Sequence, residues 1–305
     1  MNRIMLGAAA LLMAASLLAC APPVASEPQP EHGPLRVAVT FYPNEYFVQR
    51  IGAEAVEVFC DVPAGADALF WIPNDEQLAR MLAADLIVLQ GAGLERWVGR
   101  ASLPMSRVLV ATKGMQQQLL QFEAGSAHSH GNGEQHDAGG IDPHVWLDPE
   151  NAKLQAAAIH RRLSELLPEQ AADFATRFAV LASELDELSA QFRAIAARGE
   201  PLCASHPAYA YLVSRFGFQI ESFDFDPEKM PTEEQLSSLA ASIGKSGASK
   251  ILWEAEPTPE IARRLSSQLG LESLVFSPCE LMGVGLRAKG ESYLTIQRGN
   301  AARLR

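Results

Sequence analysis

The chain has 305 residues, of which 48% are hydrophobic and 20% are charged, and its formal net charge at pH 7 is −11. No cluster of lysine and arginine stands out along it, which argues against a nucleic-acid-binding protein. A chain of this length lies near the upper limit for one hydrophobic core, so we expect two lobes. The acidic balance is compatible with a protein that handles cations, but many other proteins are equally acidic.

The N-terminal segment has the pattern of a secretory signal. Residues 4–18 are almost all apolar or small, and the run is shorter than the roughly 20 residues needed to cross a bilayer. It ends in Leu17-Leu18-Ala19-Cys20, which resembles a bacterial lipobox. The resemblance implies cleavage before the cysteine and lipidation of its thiol, and the alternative is an ordinary signal peptide followed by an incidental cysteine. We predict a lipoprotein signal peptide over residues 1–19 and a lipid-anchored tether over residues 20–34.

Short apolar strands alternate with helical patterns in the first half of the chain. Asn74-Asp75-Glu76 is typical of a helix start, because acidic residues are favourable at a helix N-terminus. Strands that alternate with helices between Gly or Pro residues predict a parallel sheet covered on both faces. The predicted strands are residues 35–40, 56–62, 86–90 and 108–111, and the predicted helices begin near Tyr46 and Asn74.

The longest helical pattern lies in the middle of the chain. Between Phe174 and Ile195 apolar residues recur at alternating spacings of four and three, which gives one apolar stripe along a helix over residues 169–197. A coiled-coil partner would also explain the stripe, but the stripe spans only about three heptads and its flanking charges are mostly acidic. We therefore predict a helix that packs across both lobes of a monomer.

The alternation of strands and helices resumes after Pro201. The predicted fold class is α/β, with two lobes that each contain a parallel β-sheet flanked by helices and that are joined by one long backbone helix. The predicted boundaries are residues 35–165 for the N-terminal lobe, 166–199 for the linking helix and 200–305 for the C-terminal lobe. The predicted strands of the second lobe are residues 202–205, 219–223, 250–253 and 273–276, and its helices lie near residues 207–216, 232–246 and 258–269.

Three cysteines follow Cys20, namely Cys60, Cys203 and Cys279. In an oxidising compartment one pair could form a disulfide, which would leave one thiol free. The spacing does not choose the pair.

Three of the seven histidines, His128, His130 and His136, lie in the Gly-rich polar stretch of residues 125–140. Such a stretch cannot bury enough apolar surface to fold by itself. Imidazoles on a flexible loop can collect zinc, nickel or copper at modest affinity. We predict a metal-capture loop, and the alternative is a solvated loop with incidental histidines.

Two further histidines lie at positions where ligands are usually bound. His144 lies between Pro143 and Pro149, which restrict the backbone on either side. His206 follows a predicted strand, and ligands of open α/β sheets bind at the carboxyl ends of strands. Each predicted lobe supplies one of these histidines, so we expect them to share one metal ion.

With these features the chain resembles the solute-binding lipoproteins of zinc and manganese ABC transporters. The resemblance extends over essentially all of its mature length. The most specific motif is DPHVWLDP, which begins at Asp142. The motifs that carry the resemblance are Val37 to Tyr42 with Pro43, Val62 to Asp67, Ala83 to Val88, Gly91 to Trp97, the His-rich loop, Asp142 to Asn151, Ser205-His206 and Ile251 to Glu254.

The resemblance implies two α/β lobes joined by a long helix, with a metal ion bound between them and passed to a membrane permease. It implies a protein that is not an enzyme and that is lipid-anchored to the cell membrane, facing the periplasm. The histidines of the loop resemble the zinc-type members. Zn²⁺ is therefore the expected cargo, and Mn²⁺, which prefers carboxylate and water ligands, is the less favoured one.

The chain departs from the family pattern at two metal-binding positions. Leu69 stands where the family usually has a histidine, two residues after Asp67 of the Gly-Ala-Asp segment. Ser277 stands before Pro278 where the family usually has an aspartate. Of four expected ligands, His144 and His206 remain.

Because a tight zinc site usually has three or four ligands, other side chains must complete it. Glu254 aligns with a family glutamate near the metal, and strand alternation predicts that Glu256 points to the same side. Our hypothesis is a site of His144, His206 and Glu254, with Glu256 or water as the fourth ligand. Cys279 and Asp67 are less favoured candidates. The competing interpretation is that the two glutamates are solvated residues at a helix start.

Two other functions are compatible with the sequence. A lipoprotein of this fold that has lost transport could act as an adhesin or scaffold, and Leu69 and Ser277 favour that interpretation. A zinc hydrolase would need an open coordination position and a general base. The sequence contains no H-E-x-x-H, G-x-S-x-G or P-loop motif, which argues against an enzyme.

Overall fold

Two four-stranded parallel sheets organise the protein. The structure, a computed structural model, describes residues 33–63, 66–121 and 140–305, and the backbone alone of residues 129–130 and 134–135. Within these ranges Pro34–Arg305 form one compact unit. The predictions for Cys20, His128 and His136 lie outside the described residues.

The first sheet has the strand order β2-β1-β3-β4. Its central strand β1 pairs in parallel with β2 and β3, so that Val37 lies between Val58 and Leu86. Strand β3 is buried along its whole length, as expected for the centre of a sheet covered on both faces. The strands are β1 (Leu35–Val39), β2 (Val56–Cys60), β3 (Leu86–Leu89) and β4 (Val108–Val110).

Helices α1 (Tyr42–Gly52) and α2 (Asp75–Leu82) belong to this first lobe. Helix α2 begins where the sequence predicts, because Asn74 and Gln77 form a reciprocal capping box. Helix α1 begins four residues before the predicted start. Pro43 lies in its first turn, where a proline has no hydrogen bond to lose.

A short antiparallel hairpin, β5 (Ser129–His130) and β6 (Glu134–Gln135), lies within the His-rich segment. It precedes helix α3 (Pro149–Leu166), which is capped by the Asp148 carboxylate.

The predicted linking helix is confirmed as α4 (Ala171–Ala196). Its stripe, from Phe174 to Ile195, belongs to the largest apolar cluster of the protein, which also takes in side chains from both sheets. Phe178 is the exception in the stripe, since it is only partly buried and stacks on His160. The two lobes therefore share one continuous core along this helix.

The second sheet has the strand order β10-β9-β7-β8 and is also parallel. The predicted α/β fold of two parallel sheets joined by a long helix is therefore confirmed. The predicted lobe boundaries stay predictions. Its elements are β7 (Pro201–Ala204), α5 (Ala210–Phe216), β8 (Gln219–Ser222), α6 (Glu233–Ser246), β9 (Lys250–Trp253), α7 (Pro259–Leu269) and β10 (Glu272–Val275).

Two C-terminal helices were not predicted, α8 (Val284–Ala288) and α9 (Tyr293–Arg303). The buried face of α9 includes Gln297 and Asn300 among its apolar residues, and this mixture hides the periodicity of an amphipathic helix. Helix α9 packs against α4 and α1.

Among the described helices, none is both long and apolar enough to cross a membrane. Cys60, Cys203 and Cys279 are all free thiols, so the disulfide considered from the sequence is not formed in this structure.

Candidate metal site

His144 is held in a fixed orientation before the chain enters α3. One oxygen of the Asp142 carboxylate lies 2.9 Å from the backbone nitrogen of His144 and 2.7 Å from its Nδ1. The Nε2 atom faces the other way and lies 3.2 Å from Glu280 Oε1. His144 is only 2% exposed. Burial lowers the pKa of His144, but Asp142 and Glu280 outweigh it and raise the pKa to about 10.

His206 lies just beyond the carboxyl end of β7. The backbone amide of Ser205 still donates to Leu252 of the neighbouring strand β9, at 2.8 Å, so the sheet positions the next residue. Glu254 follows β9 in the same way, and its Oε2 lies 4.0 Å from His206 Nδ1. His206 is 4% exposed, whereas the Glu254 side chain is 34% exposed.

The histidines of the two lobes lie close to each other. The ring centroids of His144 and His206 are 5.8 Å apart, with the rings nearly perpendicular. The structure thus brings together three of the residues singled out from the sequence, namely these two histidines and Glu254.

Glu280 is a candidate site residue that was not predicted from the sequence. It lies three residues after Ser277, where the family aspartate was expected, and it contacts His144 directly. An acidic residue just beyond Ser277-Pro278 was the signal that could have revealed it. Asn300 bonds to both the backbone amide and the carbonyl of Ser277, and the Ser277 hydroxyl oxygen accepts a bond from the Cys279 amide at 3.2 Å.

Carboxylates dominate the charge around Glu254. Burial raises the pKa of Glu254 to about 7, and the nearby charges of Glu280, Asp67 and Asp226 act in the same direction, while His144 opposes them. The site therefore presents more negative charge than two histidines and one glutamate would supply. Such an excess favours a cation.

Strand alternation does not place Glu256 beside Glu254, contrary to the prediction. Strand β9 ends at Trp253, so strand alternation does not apply to either glutamate, and Glu256 is exposed to solvent. The two glutamates do not open a helix either, since α7 begins at Pro259 and is capped by Thr258.

The other candidates for ligands differ in their surroundings. The Cys279 side chain is buried, and burial raises the pKa of its thiol, which disfavours the thiolate that binds metal. Leu69 is buried in the main apolar cluster, and Asp67 accepts a hydrogen bond from the Leu69 backbone amide at 2.8 Å. For the capture loop, the side chain of His130 is not described.

Taken together, the site consists of two pairs, His144 with Glu280 and His206 with Glu254. Within the described ranges, no three His, Cys, Asp or Glu side chains stand close enough together to hold a metal ion as they are. The side chains of the two pairs would have to move to surround one cation, since the imidazole ring centroids are 5.8 Å apart.

Comparison with known proteins agrees with this architecture. The chain is 27% identical over 288 residues to the zinc-binding protein AdcA of Streptococcus pyogenes serotype M1, covering 90% of this chain and 56% of that protein. It is 25% identical over 302 residues to the zinc-binding lipoprotein AdcA of Streptococcus pneumoniae (strain ATCC BAA-255 / R6), covering 96% and 60%. The chain thus spans little more than half the length of these two relatives.

The fold is also found among solved structures. The crystal structure of the metal-dependent lipoprotein YcdH from Bacillus subtilis superposes with a TM-score of 0.75 at 22% identity, over 88% of this chain and 97% of that one. The sequence model of the family described as zinc-uptake complex component A, periplasmic, matches residues 37–305. The chain belongs to this family.

Proposed function

We propose that this protein binds one Zn²⁺ ion between its lobes and delivers it, without catalysing a reaction, to the permease of an ABC transporter. The observation that carries the proposal is the meeting of two buried imidazoles from opposite lobes, 5.8 Å apart, each beside a carboxylate. Two nitrogen and two oxygen donors can form the tetrahedral shell that zinc prefers. Membership of a zinc-uptake family and the zinc-binding names of its relatives support the same cargo.

The proposed ligands are His144, His206 and Glu280, with Glu254 or water as the fourth. Asp142 occupies Nδ1 of His144, which leaves Nε2 for the ion, as is usual for histidines that bind zinc. An ion at this point would replace the direct contact between His144 and Glu280. Two carboxylates would balance its charge.

The proposed donor set keeps the two imidazoles expected from the sequence, and Glu280 takes the place of Glu256 as the second carboxylate. Imidazoles still favour zinc, while manganese prefers oxygen ligands. The relative affinity for the two ions is therefore a sensitive test of the proposed cargo.

The experiment is a calorimetric titration of the full chain, purified in detergent and stripped of metal, with Zn²⁺ and then with Mn²⁺. We expect one Zn²⁺ per chain at micromolar affinity or tighter, and weaker binding of Mn²⁺. If zinc does not bind stoichiometrically, the transport proposal is overturned and the adhesin or scaffold alternative is favoured. Turnover of a model ester by the zinc-loaded protein would favour the hydrolase.

We further infer that Cys20 anchors the protein to the cell membrane, on the periplasmic side. The lipobox pattern and the lipoprotein name of the Streptococcus pneumoniae relative support this inference. The expected outcome for Cys20→Ser is release of the protein from the membrane fraction. Retention of this variant in the membrane fraction would contradict the anchor.

A further inference from the structure

The segment that carries Glu280 begins in the second lobe. Strand β10 ends at Val275, and the next residue is still bonded to its own lobe. The Phe276 amide donates to the Trp253 carbonyl at 2.7 Å, and the Phe276 carbonyl accepts a bond from the Tyr209 hydroxyl at 2.7 Å. Up to this point the chain is part of the second sheet and its loops.

The carbonyls of Pro278 and Glu280 are bonded to the first lobe, while the Cys279 amide between them donates to the Ser277 hydroxyl oxygen at 3.2 Å. The Trp146 indole Nε1–H donates to the Pro278 carbonyl at 2.7 Å, and the Tyr42 amide donates to the Glu280 carbonyl at 3.0 Å. We call residues 278–282 the Glu280 segment. Two of its carbonyls are therefore attached to the first lobe, within five residues of the last bond to the second sheet at Phe276.

An ion pair also ties the Glu280 segment to the first lobe, and the backbone within the segment is constrained. The guanidinium of Arg287 binds the Glu45 carboxylate of α1 through two bonds of 2.6 and 2.8 Å, and its Nε donates to the Met282 carbonyl at 3.3 Å. Cys279 has a φ of +63°, a left-handed conformation that L residues rarely adopt. Such a conformation persists only where the surrounding structure determines it, and here it lies next to a proposed ligand.

The first-lobe anchors are themselves rigid. Trp146 is fully buried, its ring packs edge-on against Phe41 with 4.8 Å between centroids, and its carbonyl accepts a bond from the Tyr293 hydroxyl at 2.6 Å. It lies two residues after His144 in the same turn. One short stretch therefore presents His144 and holds the segment that presents Glu280.

We infer that Glu280 acts as a ligand of the first lobe, although it follows the last strand of the second, and that Trp146 is the positioning residue that sets it against His144. This inference rests on the proposed zinc-binding function. When the lobes move apart, His144 and Glu280 stay together as one half of the site, and His206 leaves with Glu254. The ion then keeps an imidazole and a carboxylate on the first lobe until the permease takes it.

The test is a double-mutant cycle on the full chain in detergent, with zinc affinity and zinc dissociation rate as the measurements. Trp146→Phe removes the indole donor but keeps an aromatic ring in place. We expect it to weaken zinc binding about tenfold or more, the range seen when partners of metal ligands are lost. In a Glu280→Gln background the same substitution should change the affinity less than about twofold, because its effect passes through Glu280.

Two controls separate positioning from general damage. Trp97→Phe also shortens a buried first-lobe tryptophan, in a separate apolar cluster, and should leave the zinc affinity within about twofold of wild type. In a Glu254→Gln background, Trp146→Phe should keep its full effect, because Glu254 belongs to the other half of the site. Arg287→Gln, which breaks the exposed pair with Glu45, provides a variant with little risk of misfolding and should accelerate zinc dissociation a few-fold.

The outcomes distinguish the two proposals. A wild-type chain that binds no zinc overturns the proposed function. If the wild-type chain binds zinc but the effects of Trp146→Phe and Glu280→Gln on zinc affinity are additive, only the inference is overturned. The inference is also overturned if Trp146→Phe is coupled to Glu254→Gln as strongly as it is to Glu280→Gln.

Discussion

The two halves of the candidate site are built differently. On the first lobe, Asp142 lies 2.7 Å from His144 Nδ1, Glu280 lies 3.2 Å from His144 Nε2, and the segment that carries Glu280 is bonded to Trp146. On the second lobe, His206 and Glu254 are 4.0 Å apart, and the Glu254 side chain is one-third exposed. The first half is organised before any ion arrives, whereas the second can adjust. We expect the first half to determine affinity and the second to determine exchange.

The largest expected effect comes from removing the imidazole of the ordered half. His144→Ala should weaken zinc binding by more than about 100-fold, since loss of a ligand exceeds the 10–100-fold cost of losing a partner of a ligand. Zinc titration measures the change. His160→Ala is the matched control, because His160 stacks on Phe178 outside the site. A His144→Ala variant that binds like the control would contradict the whole assignment.

The comparison is sharpest between the two carboxylates. Glu280→Gln should weaken zinc binding by at least about tenfold, because an ordered negative ligand is lost, whereas Glu254→Gln should cost less than about tenfold. Each substitution keeps the shape of the side chain and removes one charge, so each serves as the control for the other. Equal losses in parallel titrations would show that the two halves of the site do not differ as the geometry indicates.

Local pattern was sufficient to predict most of the fold. Alternating strands and helices indicated both sheets, and the stripe on α4 indicated the linking helix, because each pattern depends on residues close in sequence. Helix α9 was missed, since part of its buried face is polar and is satisfied by distant partners, as when Asn300 bonds to Ser277.

The site was predictable to a lesser degree, for the same reason. His144 and His206 could be found from their positions next to prolines and strand ends. For Glu280 the sequence offered only the weak signal of an acidic residue just beyond Pro278, because its place beside His144 depends on hydrogen bonds from Trp146 and Tyr42, which lie far away in the chain. Glu256 was proposed on the assumption that β9 continues past Trp253, and strand ends are poorly determined by sequence.

A smaller effect should follow from loosening the ordered half without removing a ligand. Asp142→Asn keeps the size of the side chain but removes the charge that orients the His144 ring, and we expect zinc affinity to fall about tenfold. Nitrogen NMR of the His144 ring should show a change in the tautomer or in the ring environment. An unchanged spectrum with unchanged affinity would mean that Asp142 does not orient His144. Asp226→Asn, which removes a more distant carboxylate, is the matched control.

The smallest effect, and the only expected gain, concerns Leu69. The resemblance implies a histidine ligand here, so Leu69→His should add a donor on the first lobe and tighten zinc binding several-fold, with slower dissociation. Burying an imidazole in an apolar cluster should also cost about 1–3 kcal/mol of stability in the metal-free protein, and zinc should restore that stability because it binds only the folded state. Thermal unfolding with and without zinc measures both effects, and Leu69→Met controls for the loss of the native side chain. If Leu69→His gains no more from zinc than Leu69→Met does, the ion does not come within reach of this position, and the site is complete with the two pairs alone.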